Sequence, residues 1–481
     1  MLPLGFVIFP YLIILISNLS NQKSFFTIFF NGFLFGLGFL IIYLSWVYNP
    51  FLVYKATEGY AFLALLLPVF LSIFFGLGFV IYKYLVLKFH IILITPFIFV
   101  LIEFAISNFI YGFPWVSNSL ILSNNIPGFF LIKYLGTITS GYLILLLFLL
   151  PLIFSYFTSI KKNYKQLLIV YSPLIFFFLL VMFSFVSKQK MLNKEVVLEI
   201  NQLVNPINSM NKKNTEEIIK KLINESKSDY IIFAENNFPY LIDKNNLNNL
   251  NTFIKDNKKV IIGATTIKDG DYYNSFFLLE KNKIQTFDKQ ILVPFGEFLP
   301  FRKYLNFMEI ISGSNDYQKW DAERIITTSD NLKILPIICY EIVFDKIFNN
   351  INKKEIDILV NITNDSWFGT RSGPYQHFYI SRLKALVANK SLLRVSNNGI
   401  SAIIDNNGKI IKSSKLNKIT QLKYKLKINN NISYFSIHKI FSFYLFSIFI
   451  LLIIYSKRKE IWKLIIPIEC MEDLKEEVKI M

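Results

Sequence analysis

Apolar positions in this chain come in long blocks on the N-terminal side and once more near the C-terminus, with a mixed stretch between. The blocks fall at roughly 3–19, 25–48, 60–82, 91–111, 131–157 and 167–187, and a last one at about 438–456. A helix needs about 20 largely apolar residues to cross the hydrocarbon of a bilayer, so each block predicts a spanning helix. The run 25-FFTIFFNGFLFGLGFLIIYLSWVY-48 is representative. It is rich in Phe and Gly, and Trp46 and Tyr48 stand at one end, where aromatic rings favour the headgroup region. Six successive runs of this kind would leave buried core helices no polar face to turn to water.

From about 190 to 436 the period changes. Short β-branched or aromatic runs recur between Asn, Asp and Gly: VVLEI (196–200), YIIFAE (230–235), KVIIGATT (259–266), YYNSFFLLE (272–280), KILPIICYE (333–341) and IDILVNIT (356–363). SLLRVSNNG (391–399) and SAIIDNNGKII (401–411) follow, and NTEEIIKKLINES (214–226) carries a helical pattern. Nearly continuous apolar strands alternating with helices predict an α/β domain with a largely buried sheet. The two Asn-Gly pairs in SNNGISAIIDNNGKI are hairpin signals. The expected organisation is therefore transmembrane helices over 1–189, a globular domain over 190–436, one more transmembrane helix over 437–457 and a tail over 458–481.

Composition agrees with a membrane protein. Hydrophobic residues make up 53% and charged residues only 17%, with 50 Phe and a mean hydropathy of +0.43. A soluble domain carries about 25% charged residues, so purely soluble, disordered and collagen-like classes are excluded. The net charge of +18 would suggest nucleic acid in a soluble protein, but here the basic residues report topology. Lys23, then Lys83 and Lys88, then Lys161, Lys162 and Lys165 fall in alternate links, and Lys457, Arg458 and Lys459 open the tail. The positive-inside bias puts these on the cytoplasmic side and the polar domain outside. Met1 runs directly into apolar residues without a basic leader, unlike a cleavable signal peptide. Two cysteines, Cys339 and Cys470, make no disulfide framework.

Three stretches of the polar domain put reactive residues at strand ends. Glu235 ends the strand 230–235 in FAENNFP; Lys289 and Glu297 frame the Pro-Phe-Gly turn of FDKQILVPFGEFLP; Cys339 ends a strand in IICYE, followed by Tyr340 and Glu341. Singly, each has an ordinary explanation: an inert buried thiol, a solvated carboxylate, a surface lysine. Together they make a chemistry. A thiol attacks as thiolate and needs a base or a cation to form it. A carboxylate can take that proton and return it to a leaving group, and a lysine can hold a developing oxyanion. Of the three histidines only His377 lies in the domain, so a cysteine–histidine site would rest on one residue. Without His/Cys clusters at ligand spacing, neither a metal nor another cofactor is expected.

FAENNFP, DKQILVPFGEFLP, ICYE, TNDSWFGT, GPYQHFYISRLKALVANKSLLRVSNNG, the GFPW stretch at 112–115 and the preceding spans resemble bacterial apolipoprotein N-acyltransferases, a membrane-embedded branch of the nitrilase (carbon–nitrogen hydrolase) superfamily. The resemblance covers nearly the whole chain. It implies a polytopic α-helical membrane domain plus an α/β nitrilase-like αββα sandwich. It makes Glu235 the general base, Lys289 the oxyanion stabiliser and Cys339 the nucleophile, with Glu297, Tyr340 and Glu341 as supporting site residues. NDSWFG (364–369) resembles a loop lining the site, although an ordinary Asx turn over a packed Trp367 explains it equally well.

The implied reaction moves an acyl chain from a membrane phospholipid, through a Cys339 thioester, to the α-amino group of a diacylglyceryl-cysteine on apolipoproteins. The implied location is the bacterial inner membrane with the domain facing the periplasm. The uncharged loop 111–130 is a candidate lipid entrance or interfacial anchor. Two features depart from the family: QLVNPINSMNKKN (202–214) lacks an expected tryptophan, and six spans rather than seven precede the domain, as if the chain began one helix late. The same three residues would also serve a membrane-tethered amidase or nitrilase with water as acceptor. A transporter or scaffold fits less well, because the spans hold few ionisable residues, chiefly Glu103.

Overall fold

The computed structural model describes residues 24–149 and 191–455, apart from 87–90, 125, 208–209, 244–252, 254–257, 282, 306–307 and 430–431. The expected spans at 3–19 and 167–187 lie outside the described residues. The chain forms two compact units: one comprises the residues up to Ile42, Leu66–Ser187 and those from Phe435 onward, the other Tyr43–Leu65 and Lys188–Tyr434.

The first unit is helical, with α1 Phe25–Tyr43, α2 Leu66–Val86, α3 Ile91–Asn108, α4 Ile126–Phe148 and a C-terminal helix Phe435–Tyr455. Among the described residues, Phe25–Tyr43, Ala61–Leu85 and Gly128–Phe148 are long and apolar enough to cross a membrane, and Ile94–Asn108 is shorter. The run expected over 25–48 stops at Tyr43 because Ser45–Tyr48 tightens into a 3-10 turn, with the Trp46 carbonyl taken by the Asn49 side chain at 2.8 Å. Glycines let α1 approach α2: a Cβ on Gly32 or Gly36 would sit 2.6 Å from Phe79 or Phe75. Helix α4 breaks at Gly136 (φ 78°), and the freed Lys133 carbonyl accepts from His438 Nε2 at 2.7 Å. Glu103 is buried and accepts from Ser117 Oγ (2.8 Å), the Asn118 amide (2.9 Å) and Asn118 Nδ2 (2.7 Å). It ties down the loop after α3, in which Trp115 is fully buried rather than turned out as an anchor.

The second unit is built on two six-stranded sheets. The first holds β1 Met191–Gln202, β2 Tyr230–Ile232, β3 Lys259–Lys268, β4 Asp271–Glu280, β5 Lys283–Asp288 and β12 Thr420–Asn429, in the order β12-β1-β2-β3-β4-β5. The second holds β6 Ile326–Thr327, β7 Lys333–Ile338, β8 Ile358–Thr363, β9 Ser391–Ser396, β10 Ala402–Ile404 and β11 Ile410–Ser413, in the order β11-β10-β9-β8-β7-β6. At the centre of each sheet β1-β2-β3 and β7-β8-β9 run parallel, with antiparallel partners outside.

The apolar runs are continuous because both strand faces are covered. Tyr230, Ile232 and Ala234, with Ile261, Phe276 and Leu278, join Ile334, Ile338, Val360 and Val395 of the other sheet in one core. The intervening residues Ile231, Phe233, Val260, Ile262 and Phe277 pack instead with Ile219 and Ile223 of α5 (Lys212–Glu225). The second sheet carries α6 (Ser372–Ala388), buried along most of its length. Both Asn-Gly pairs lie in hairpin connections, β9 to β10 and β10 to β11, with Gly408 at φ 75°.

Candidate active site

Glu235, Lys289 and Cys339 come from three separate connections and meet in one buried cluster. Glu235 follows β2, and its backbone lies so close to β3 that a Cβ on Gly263 would be 2.6 Å from Glu235 Cα. Lys289 follows β5, and Cys339 opens a 3-10 turn directly after β7 with a left-handed φ of 50°. A positive φ on a non-glycine residue is strained and persists where the surroundings dictate it. Lys289 Nζ donates to Glu297 Oε1 at 2.8 Å and stands 4.0 Å from Glu235 Oε1. Asn274 Nδ2, from β4, bridges the two carboxylates at 2.7 Å to Glu235 Oε1 and 2.9 Å to Glu297 Oε1. The Asn364 amide donates to Glu235 Oε2 at 2.7 Å, and the Val293 amide to Glu297 Oε2 at 2.9 Å. Thr363 Oγ1 lies 3.3 Å from Cys339 Sγ.

The electrostatics of this cluster are unbalanced. Burial pushes the Glu235 carboxyl up; the Lys289 cation opposes this, Glu297 adds to it, and hydrogen bonds from Asn274 and the Cys339 thiol pull it back. Burial also pushes the Cys339 thiol up, with Glu235 adding and Lys289 opposing. Burial alone would lower Lys289, but Glu297, Cys339 and Glu235 hold it firmly protonated. The result is a charged lysine beside a thiol and a carboxyl that compete for one proton.

The supporting residues act differently from one another. Glu341 is fully buried and accepts from Arg324 through both oxygens (2.7 and 2.8 Å), from the amides of Gln290 (2.8 Å) and Ile291 (3.1 Å), and from the Ile338 amide (2.9 Å). It ties the loop after Lys289 to the turn that presents Cys339. Burial alone would raise it, but Arg324 outweighs that and holds it low, so it stays a carboxylate. Tyr340 is buried edge-on against Phe344, ring centroids 5.1 Å apart. Both readings of NDSWFG apply: Asn364 Oδ1 accepts from the Ser366 amide at 3.2 Å as in an Asx turn, and the same residue's amide binds Glu235. The aromatic packed beneath is Phe368, while Trp367 is half-buried.

His377 stands behind Cys339. Its Nδ1 bonds Asp365 Oδ1 at 2.8 Å; Arg394 Nη2 bonds Asp365 Oδ2 at 2.7 Å; and Thr363 Oγ1 lies 3.1 Å from Asp365 Oδ1. The imidazole bonds Asp365 and the Cys339 backbone, while Thr363 lies against Sγ, an arrangement that does not pair the imidazole with the thiol. Asp365 is held low despite its burial by Arg394 and His377, and burial with Arg394 nearby keeps His377 neutral. Sequence reasoning singled out none of Asn274, Arg324, Thr363 and Arg394, although Thr363 opens TNDSWFGT and Arg394 lies in SLLRVSNNG. It placed Tyr43–Leu65 within the transmembrane region 1–189, whereas the structure groups this segment with the second unit. There Trp46 Nε1 donates to Gln376 Oε1 at 2.9 Å, Asn49 Nδ2 donates to the Phe368 carbonyl at 3.2 Å, and the Trp46 and Phe368 rings lie 4.8 Å apart.

Residues 204–427 match the carbon-nitrogen hydrolase family, and residues 1–150 match the apolipoprotein N-acyltransferase N-terminal domain. Among solved structures, Nit3 of Saccharomyces cerevisiae, a member of branch 10 of the nitrilase superfamily, is similar at 17% identity, with 50% of this chain and 93% of that one covered and a TM-score of 0.38. By the two family matches, the fold is that of a nitrilase-like carbon–nitrogen hydrolase joined to a helical, membrane-associated region. The apolipoprotein N-acyltransferase of Rickettsia prowazekii is 31% identical over 424 residues, 82% of each chain, and that of Wigglesworthia glossinidia brevipalpis is 31% identical over 412 residues, 79% of each. The chain belongs to the apolipoprotein N-acyltransferase family and is a membrane acyltransferase of lipoprotein N-acylation.

Proposed function

We propose that this enzyme takes a fatty acyl chain from a membrane phospholipid and delivers it to the α-amino group of the N-terminal diacylglyceryl-cysteine of apolipoproteins, the last step of their maturation, through a thioester on Cys339. Glu235 removes the thiol proton as sulfur attacks the acyl carbonyl; Lys289 holds the oxyanion; the ester C–O bond breaks and the proton leaves with the lysophospholipid. The amine then attacks the thioester, the C–S bond breaks, and Glu235 passes the amine proton to the departing sulfur. Two substrates sharing one covalent intermediate predict ping-pong kinetics.

The convergence of Glu235, Lys289 and Cys339 in one buried, charge-unbalanced cluster carries this reading. In this scheme 1–189 and 437–457 hold the enzyme in the inner membrane, 190–436 faces the periplasm, and 458–481 lies in the cytoplasm, in line with the basic loops. Incubation with phosphatidylethanolamine is expected to add the mass of one acyl chain to the detergent-purified protein. The adduct should be labile to hydroxylamine, absent from Cys339→Ala and unaffected by Cys470→Ala. Absence of an adduct alongside turnover of a small amide would replace this reading with a membrane-tethered hydrolase.

A further inference from the structure

The Thr363 hydroxyl carries one proton and has two acceptors within reach, Cys339 Sγ at 3.3 Å and Asp365 Oδ1 at 3.1 Å. Asp365 does not depend on that proton, since His377 Nδ1 (2.8 Å) and Arg394 Nη2 (2.7 Å) already occupy its two oxygens. Thr363 itself is fully buried at the end of β8, so water does not compete for the hydroxyl. A neutral thiol is a poor acceptor, while a thiolate is a strong one. The hydroxyl therefore has a better partner in Asp365 while sulfur is neutral, and a better one in sulfur once sulfur is charged.

We infer that Thr363 is a catalytic hydrogen-bond donor to Cys339 Sγ, turning from Asp365 to sulfur whenever sulfur carries charge. Resting on the thioester reading above, it serves twice: it stabilises the thiolate as nucleophile in the first half-reaction and as leaving group in the second. Thr363 keeps its own proton throughout, while Glu235 carries the transferred one. The other charged or titratable groups around the sulfur are Glu235 and Lys289 from the first sheet's loops, Asp365 from the turn after β8, and His377 of α6 beside the Cys339 carbonyl.

The test uses full-length protein in the Cys470→Ala background, where Cys339 is the one remaining thiol of the two. Alkylation of Cys339 by iodoacetamide is followed against pH, together with thioester formation from phosphatidylethanolamine. Thr363→Val, which keeps the shape and loses the donor, is expected to move the alkylation profile up by about one pH unit and to slow thioester formation roughly tenfold. Thr363→Ser, which keeps the donor, should stay near the parent. If the valine variant does not fold, Thr363→Ala against Thr363→Ser gives the same contrast. A valine variant indistinguishable from the parent overturns the inference, and so does a serine variant as impaired as alanine, since packing alone would then explain the effect. A shifted alkylation profile in a protein that never forms an acyl adduct would uphold the donor and remove the transferase reading.

Discussion

Two clusters of buried charge flank Cys339, and they behave in opposite ways. On the side of the first sheet, two carboxylates, Glu235 and Glu297, share one lysine and one asparagine. On the side of the second sheet, one carboxylate, Asp365, is held by one arginine and one histidine. The first cluster has more negative charge than its single cation neutralises, so burial pushes Glu235 up and leaves it ready to bind a proton. The second is matched, so Asp365 stays ionised and His377 neutral. Burial by itself does not make a titratable group reactive; an imbalance among its neighbours does.

Substitutions can break this contrast, and the largest effect belongs to the unbalanced side. Glu235→Gln should lower acyl-adduct formation about a thousandfold while the protein still inserts and melts near the parent temperature, because a proton acceptor is lost and the carboxamide keeps the shape. Near-parental rates would move the base elsewhere. Arg394→Met should do the reverse, destabilising the domain by about 3 kcal/mol, because Asp365 is then buried without its cation. Thermal denaturation in detergent measures this, and an unchanged melt would mean that the second cluster is not a closed pair.

Gly263→Ala comes next. Its Cβ would meet Glu235 Cα at 2.6 Å, so the backbone that carries Glu235 must move, with an expected loss of roughly tenfold in adduct formation. The smallest effect is a shift rather than a loss. Since Glu235 is raised in the folded protein, adduct formation should fail as pH drops through a value above the ordinary carboxylate range of about 4.3. Glu297→Gln removes the neighbouring charge that raises it, so the acid limb should move to lower pH whatever happens to the maximal rate.

Much of this was legible in the chain. The apolar runs gave the strands because both faces of each sheet are covered, and Glu235, Lys289 and Cys339 stand out because each ends such a run. β12 was missed although Leu422, Leu426 and Ile428 alternate with Lys423, Lys425 and Lys427, a half-buried period-2 pattern hidden by its charge. α6 shows no apolar stripe, because it is buried nearly all round and polar residues such as His377, Ser381, Arg382 and Lys384 share its buried faces. Asn274 and Arg324 act through partners more than ten residues away, at 39 and 17 positions along the chain, and Thr363 meets Cys339 across 24. Nothing local marks Asn274 or Arg324, and the motif around Thr363 does not show which residue it faces, because these roles exist only once the sheets have paired.

The segment Tyr43–Leu65 leaves one helix of the membrane-associated region and enters another, yet it is built into the unit that carries Cys339. Its Trp46 and Asn49 close over the Phe368 turn and hold Gln376, at a distance of more than 300 positions in the sequence. Residues 188–434 translated on their own would therefore lack a piece of their own wall. Grafting this hydrolase fold onto a foreign anchor would mean carrying the 43–65 strap along with it.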